Sequence, residues 1–129
     1  MDMKITFPGG KKVNADYNGF THETDQPVDS GGDETAPAPF DLFLASMGTC
    51  AGIYVLGFCQ QRNLETEGLS ITQSMNYNSE NRLIDSVNLT IHLPATFPEK
   101  YKKSLIHVAK LCAVKKHLES PPIFNVITD

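Results

Sequence analysis

The sequence lacks an excess of basic residues and any basic cluster long enough to follow a phosphate backbone. Eleven Lys and Arg residues stand against fifteen Asp and Glu residues, which gives a formal net charge of −4. The lysines are spread or occur in short runs such as Lys102-Lys103 and Lys115-Lys116. This pattern argues against nucleic acid as a partner.

A signal-peptide pattern and an unbroken membrane span are also missing. The chain opens Met1-Asp2-Met3-Lys4, without the charged and then apolar order of a secretory signal. The longest apolar stretch, residues 40–58, is interrupted by glycines and carries Asp41 near its start. We therefore expect a cytoplasmic protein with no membrane partner.

Cysteine is scarce, and the three residues present, Cys50, Cys59 and Cys112, form an odd number at uneven spacings. This argues against the disulfide framework of a secreted protein and leaves buried thiols, metal ligands or redox chemistry. A zinc site has little support, because Cys112 and His117 lack a second ligand pair at metal-binding spacing. We expect no metal and no other cofactor.

The size and composition fit one domain covering residues 1–129, since the chain has 129 residues, 40% hydrophobic and 20% charged. Alternating apolar residues and the turn Asn18-Gly19 predict a small antiparallel meander within residues 3–24. Residues 25–39 are rich in proline, glycine and acids, which predicts a long irregular loop. Such a loop is expected to bind something or to cross to another subunit.

Residues from Pro39 to about Asn63 have the apolar periodicity of a helix, with Cys50 on its apolar stripe. The small-residue stretch that contains Gly48 and Gly52 is costly in a helix, so we expect another backbone or a substrate to lie directly against it. Cys59 follows Cys50 by nine residues and should face the opposite side of the helix.

The second half of the chain predicts a hairpin, a helix and a last strand. Alternation over residues 69–77 and 86–93 indicates antiparallel strands. A helix beginning at Pro98 should carry Cys112 at the end of its apolar row, and residues 123–128 predict a terminal strand. Cys50 and Cys112 would then meet in a core, where a cysteine taken alone is more often an inert buried thiol than a nucleophile.

The segment from Ala36 to Cys50, with its Pro-Ala-Pro start and small-residue helix, resembles the signature helix of the OsmC/Ohr family of thiol-dependent hydroperoxide reductases. The acidic loop 25–32, the hairpin and the late Leu111-Cys112-Ala113-Val114 are similar to the family in order and spacing. The resemblance implies an α+β, OsmC-like fold in which antiparallel sheets wrap around a long central helix. It also implies an intertwined homodimer.

In function, the resemblance implies a peroxidase in which Cys50 matches the peroxidatic cysteine and Cys112 the resolving cysteine. The substrate would be a small organic hydroperoxide, and the disulfide formed would be reduced by an external dithiol. These steps require two cysteines and neither a metal nor a cofactor.

The chain departs from the family pattern at the groups that hold the reactive thiol as thiolate. The family uses an arginine and a glutamate, whereas here no arginine occurs up to Pro39 and Phe40 stands at the position of the glutamate. Lys115 and Lys116 are candidate substitutes, although a solvated face of lysines is the plainer interpretation. Two functions therefore stay open: the peroxidase, and a non-catalytic OsmC-like stress-associated binding module or slow redox sensor with a buried apolar pocket at the dimer interface.

Overall fold

The computed structural model describes all 129 residues and divides the chain into two compact units, residues 1–45 and 46–129. The fold is α+β with antiparallel sheets and one long helix, as the sequence predicted. In chain order the elements are β1 (Lys4–Gly9), β2 (Lys12–Tyr17), β3 (Phe20–Thr24), α1 (Pro39–Gln61), β4 (Ser70–Asn78), β5 (Leu83–His92), α2 (Lys102–Ala109) and α3 (Ala113–Glu119), with 3-10 turns at Val28–Ser30 and Glu99–Tyr101.

The first unit contains a three-stranded antiparallel sheet in the order β1-β2-β3. Tyr17 pairs with Phe20 across a two-residue turn, in which Asn18 and Gly19 have φ values of 51° and 81°. Positive φ at both central residues is what a type I′ hairpin requires, and Asn-Gly supplies it with little strain. The predicted meander is therefore confirmed.

A buried carboxylate organises the loop that follows β3. Asp25 has no exposed surface and accepts hydrogen bonds from the Gln26 amide at 2.8 Å, the Thr35 amide at 3.1 Å and the Thr35 hydroxyl at 2.7 Å. The Thr35 hydroxyl contributes most to lowering the pKa of Asp25 from 3.8 to about 2. A Cβ at Gly32 would lie 2.0 Å from the Gln26 carbonyl oxygen, so the loop also requires glycine there. The irregular composition thus specifies one defined loop.

We expect Asp25→Asn to loosen this loop, because the amide replaces one acceptor by a donor facing the Thr35 N–H and hydroxyl. The hydrogen-exchange protection of the Thr35 amide should fall roughly tenfold or more. The pKa of Asp25 in the folded protein lies below its ordinary value. The contribution of Asp25 to the free energy of unfolding is therefore complete above about pH 3.8 and is lost as the pH falls through about 2. Asp29→Asn, an exposed change in the same loop, is the matched control, and unchanged protection at Thr35 in the Asp25 variant would contradict this role.

Helix α1 ends close to the predicted position. Asn63 adopts a left-handed conformation with φ of 52°, and the Leu64 amide donates to the Cys59 carbonyl at 2.9 Å, which closes the last turn. The start at Pro39 agrees with the preference of proline for the first helical position. The buried residues of α1 lie in its second half: Ala51, Val55, Phe58 and Cys59.

By length and composition, α1 is able to cross a membrane. It has 23 residues, a mean hydropathy of 1.8 in its most apolar window, and 22% of that window buried. The core helix of a soluble protein has the same properties, so this feature alone does not assign a membrane location. The absence of a membrane partner stays a prediction.

The core of the second unit lies where α1 meets the β4–β5 hairpin and the start of α2. β4 and β5 pair antiparallel from Ser70 opposite His92 to Asn78 opposite Leu83, which confirms the predicted hairpin. The buried cluster is formed by Val55, Phe58, Cys59, Phe97 and Leu105. Apolar residues of both strands, including Ile71 and Ile91, pack against it.

Gly48 and Gly52 of α1 face strand β4. A Cβ at Gly48 would lie 2.7 Å from Gln73 Oε1, and a Cβ at Gly52 would lie 3.9 Å from Ile71 Cδ1. The small residues therefore allow side chains of β4 to lie close to the helix. The predicted close approach is therefore present, and the nearest atoms at these two glycines belong to side chains of β4 rather than to another backbone.

Two predicted elements differ from the structure. Helix α2 ends at Ala109, and Cys112 is the N-cap of α3 rather than part of a continuous helix, because apolar spacing alone cannot separate one helix from two with a break between them. Residues 123–128 form no strand, since no neighbouring strand pairs with them. Ile123, Phe124, Val126 and Ile127 are each at least 80% exposed.

Candidate active site

The sulfur atoms of Cys50 and Cys112 meet at the N-terminus of α3. Helix α1 positions Cys50, which is half-buried, and the break after α2 positions Cys112, which is 3% exposed. The Cys112 sulfur accepts the Lys115 amide at 3.5 Å, and the Cys50 sulfur accepts the amides of Val114 and Ala113. Amides at the start of a helix have no partner within it, so the two sulfurs cap α3 together.

The surroundings of Cys50 favour its thiolate. The pKa of Cys50 is lowered chiefly by the hydrogen bond from the Val114 amide, then by the Cys112 thiol and the Ala113 amide, against the opposing effect of burial. Hydrogen bonds that are directed at sulfur stabilise the charged form more than the neutral one. Cys50 is therefore the better nucleophile of the pair.

The surroundings of Cys112 have the opposite effect. Burial is the largest cause that raises the pKa of Cys112, and its hydrogen bond to Cys50 raises it further. The Cys112 thiol is thus the donor and the Cys50 sulfur the acceptor between them. These shifts favour the thiolate form at Cys50 and the thiol form at Cys112.

Cys59 is separate from this pair. It is fully buried in the core, and burial raises its pKa although the charge of Arg62 partly opposes this. It lies on the buried side of α1, away from the Cys50 sulfur, as the nine-residue spacing predicted. His117, which was considered as a ligand beside Cys112, donates from Nδ1 to the Ala113 carbonyl at 2.7 Å.

The lysines after Cys112 do not provide the charge that the family obtains from arginine. The Lys115 ammonium pairs with Glu119 at 2.5 Å, and only its backbone amide contacts Cys112. Every interaction that lowers the pKa of Cys50 is a hydrogen bond. The side chains of Lys115 and Lys116 donate none of these bonds. Sequence reasoning missed the amides of Ala113 and Val114, since backbone donors leave no residue signature.

The protein has an α+β fold with antiparallel sheets and one long helix. Its site is a dithiol centre, in which two hydrogen-bonded thiols have pKa values shifted in opposite directions. A family model described as OsmC-like protein matches residues 31–126. The chain therefore belongs to the OsmC-like family, as its signature segment predicted. No curated protein matches the chain in sequence.

Solved structures support the fold at low sequence identity. A Psychrobacter arcticus protein described as an osmotic stress induced and detoxification response protein is 22% identical with a TM-score of 0.73, covering 88% of this chain and 85% of its own. An OsmC-like protein from Mycoplasma pneumoniae is 14% identical with a TM-score of 0.71, covering 93% and 87%. The organic hydroperoxide resistance protein OhrB of Bacillus subtilis is 17% identical with a TM-score of 0.53, covering 94% and 93%. At these identities the comparisons establish the fold.

Proposed function

We propose that this protein is a thiol-dependent peroxidase that reduces small organic hydroperoxides, with Cys50 as the attacking thiol and Cys112 as the resolving thiol. The observation that carries the proposal is the pair of hydrogen-bonded sulfurs whose pKa values are shifted in opposite directions. The fold shared with an organic hydroperoxide resistance protein adds to it.

In the first step, the Cys50 thiolate attacks the terminal oxygen of the hydroperoxide and the O–O bond breaks. Cys50 becomes a sulfenic acid, and the alkoxide takes up a proton to leave as the alcohol. The amides of Val114 and Ala113 lower the pKa of the attacking sulfur and so favour its thiolate form before the reaction. They therefore do locally what the arginine and glutamate do in the family.

In the second step, the Cys112 sulfur attacks the Cys50 sulfenic acid. A disulfide forms, and the hydroxyl of the sulfenic acid leaves as water with the proton of the Cys112 thiol. An external dithiol then reduces the disulfide by exchange and is itself oxidised. Both thiols are restored, so each cycle consumes one hydroperoxide and one external dithiol.

We also propose an intertwined homodimer as the working form, with residues 1–129 as a single OsmC-like domain in the cytoplasm. The support is the amount of apolar side chain left uncovered in one copy, including the four apolar residues of the segment 123–127. Large exposed apolar patches on a single chain are typical of association surfaces. Size-exclusion chromatography with light scattering should give twice the 14.2 kDa chain mass.

The test of the activity is consumption of cumene hydroperoxide with dithiothreitol as the reductant. We expect steady turnover that follows protein concentration, with the alcohol as product. A rate no higher than that of a Cys50→Ser control would contradict the peroxidase.

The alternative is a non-catalytic binding module or a slow redox sensor, and it is favoured because no charged side chain is among the groups that lower the pKa of Cys50. Alkylation at neutral pH separates the two functions. Under the peroxidase proposal Cys50 should react faster than an ordinary thiol and with a rate–pH midpoint below the usual cysteine pKa, because its thiolate fraction is larger. A rate equal to that of a free thiol would favour the module, and Cys59, followed by mass spectrometry in the same sample, is the internal control.

A further inference from the structure

The two sulfurs of the thiol pair lie close enough together for a single ion to bridge them. The Cys112 thiol donates a hydrogen bond to the Cys50 sulfur, and neither cysteine is part of a disulfide. Cys50 is half-buried and can be reached from solvent, whereas Cys112 is 3% exposed. The reduced pair therefore offers one accessible ligand atom with a second one in contact with it.

Both sulfurs also have backbone donors that favour them as anionic ligands. Cysteine binds metal ions as the thiolate, so a bridged pair carries two negative charges before the charge of the ion is counted. The amides of Ala113 and Val114 donate to Cys50, and the Lys115 amide donates to Cys112 at 3.5 Å. Such hydrogen bonds stabilise the charge on a ligating atom and fix its orientation.

The chain provides no further ligands around the pair. No three His, Cys, Asp or Glu side chains lie close enough together to share a metal ion. Cys59 is buried in the core, and the His117 ring is hydrogen-bonded to the Ala113 carbonyl at 2.7 Å. Zinc takes four protein ligands in structural sites and three in catalytic ones, so a site of two sulfurs does not suit it.

The metal ion that matches two sulfurs is monovalent copper. Cu(I) is a soft ion for which thiolates are preferred ligands, and two thiolates are enough to complete its coordination. Magnesium and calcium ions are excluded by their requirement for oxygen ligands. Two thiolates and one Cu(I) leave a single negative charge, which the three backbone donors stabilise.

We propose that Cys50 and Cys112 of the reduced protein form a two-sulfur binding site for Cu(I). The ion arrives as a complex with small thiols, the Cys50 sulfur displaces one of them, and the Cys112 sulfur displaces the other. Each departing thiolate takes up the proton that the incoming cysteine gives up, and copper stays monovalent throughout. The site depends on the reduced pair and not on the proposed peroxidase, and the ion is no cofactor of that reaction.

The first test is a competition titration without oxygen, in which the reduced protein removes Cu(I) from its coloured complex with bicinchoninate. We expect one ion per chain. Cys50→Ser and Cys112→Ser should each weaken binding roughly a hundredfold or more, because a serine hydroxyl is a poor ligand for a soft ion. Cys59→Ala is the matched control and should bind as the unchanged protein does. An affinity within a few-fold of the original in either serine variant would overturn the site.

A second measurement needs no variant, so a folding defect cannot affect it. Diamide oxidises a dithiol directly, and the Cys50–Cys112 disulfide that it forms has no thiolate to offer. The oxidised protein should therefore remove no Cu(I) from bicinchoninate, and reduction should restore one site per chain. Binding that survives formation of this disulfide would overturn the proposal.

Selectivity and location are tested on the same reduced protein. One equivalent of Cu(I) should slow alkylation of Cys50 by iodoacetamide at least tenfold, since both sulfurs are then ligands, whereas one equivalent of zinc should not. X-ray absorption should show sulfur ligands only. Equal protection by zinc, or nitrogen among the copper ligands, would contradict a two-sulfur site.

The outcome is separable from that of the proposed function. If no hydroperoxide is turned over but Cu(I) still binds at both sulfurs, the peroxidase fails and the copper site stands. If hydroperoxide is turned over and no variant changes the affinity for Cu(I), the copper site fails and the peroxidase stands.

Discussion

Replacing Cys50 by serine is expected to lower the turnover of cumene hydroperoxide by roughly a thousandfold or more, to the background rate. A serine hydroxyl has no accessible anion at neutral pH, and the amides of Val114 and Ala113 that favour the Cys50 thiolate cannot create one. Steady-state consumption of the peroxide with dithiothreitol measures the effect. Residual turnover within a few-fold of the unchanged protein would exclude Cys50 as the attacking group.

Cys112→Ser should behave differently in the same assay. Without a reductant, the variant should consume one equivalent of peroxide and then stop with a sulfenic acid at Cys50, which dimedone traps and mass spectrometry detects. The unchanged protein should instead form a Cys50–Cys112 disulfide and resist dimedone. Cys59→Ala is the matched control and should keep both turnover and disulfide formation, and the assignment of Cys112 fails if its variant still forms an intramolecular disulfide from Cys50.

Oxidation of the thiol pair is expected to loosen α3. In the reduced protein, the amides of Ala113 and Val114 donate to Cys50 and the Lys115 amide donates to Cys112, so the first turn of α3 depends on sulfur acceptors. A disulfide carries no charge and accepts hydrogen bonds weakly, so these amides lose their partners. Hydrogen-exchange protection over residues 113–115 should fall roughly tenfold or more after one equivalent of peroxide.

Two comparisons make this result specific. The amides of the β4–β5 hairpin should keep their protection, since their acceptors are backbone carbonyls of the sheet. Cys50→Ser treated with the same peroxide should show no change in α3. Equal or greater protection of residues 113–115 in the disulfide form would mean that the sulfurs do not cap the helix.

The elements that could be predicted are those whose structure is determined by residues close together in the sequence. Alternation specified both hairpins, and Asn18-Gly19 specified a turn type that few other pairs can adopt. The end of α2 could not be found this way, because Val108 and Cys112 keep helical spacing across a break that begins at Lys110. The segment 123–128 has the composition of a strand, but a strand also needs a neighbouring edge, which sequence does not reveal.

The catalytic roles of the two cysteines stay a prediction, and the backbone donors around them were not predicted. The resemblance selected Cys50 and Cys112, and the structure brings these sulfurs into hydrogen-bonding contact. Side chains such as Lys115 were the candidates for the group that stabilises the thiolate. In the structure, backbone N–H groups of the same segment donate to the sulfurs instead. Any residue but proline provides such a group, so only the path of the backbone discloses it.

The burial of Cys59 gives the protein a built-in reporter of its own unfolding. Its sulfur has no exposed surface and a raised pKa, so a thiol reagent in solution meets it only when the core formed with Val55 and Leu105 opens. The rate at which Cys59 becomes labelled therefore measures how often that opening occurs. Any substitution studied in this chain can be ranked by that rate, with no added probe.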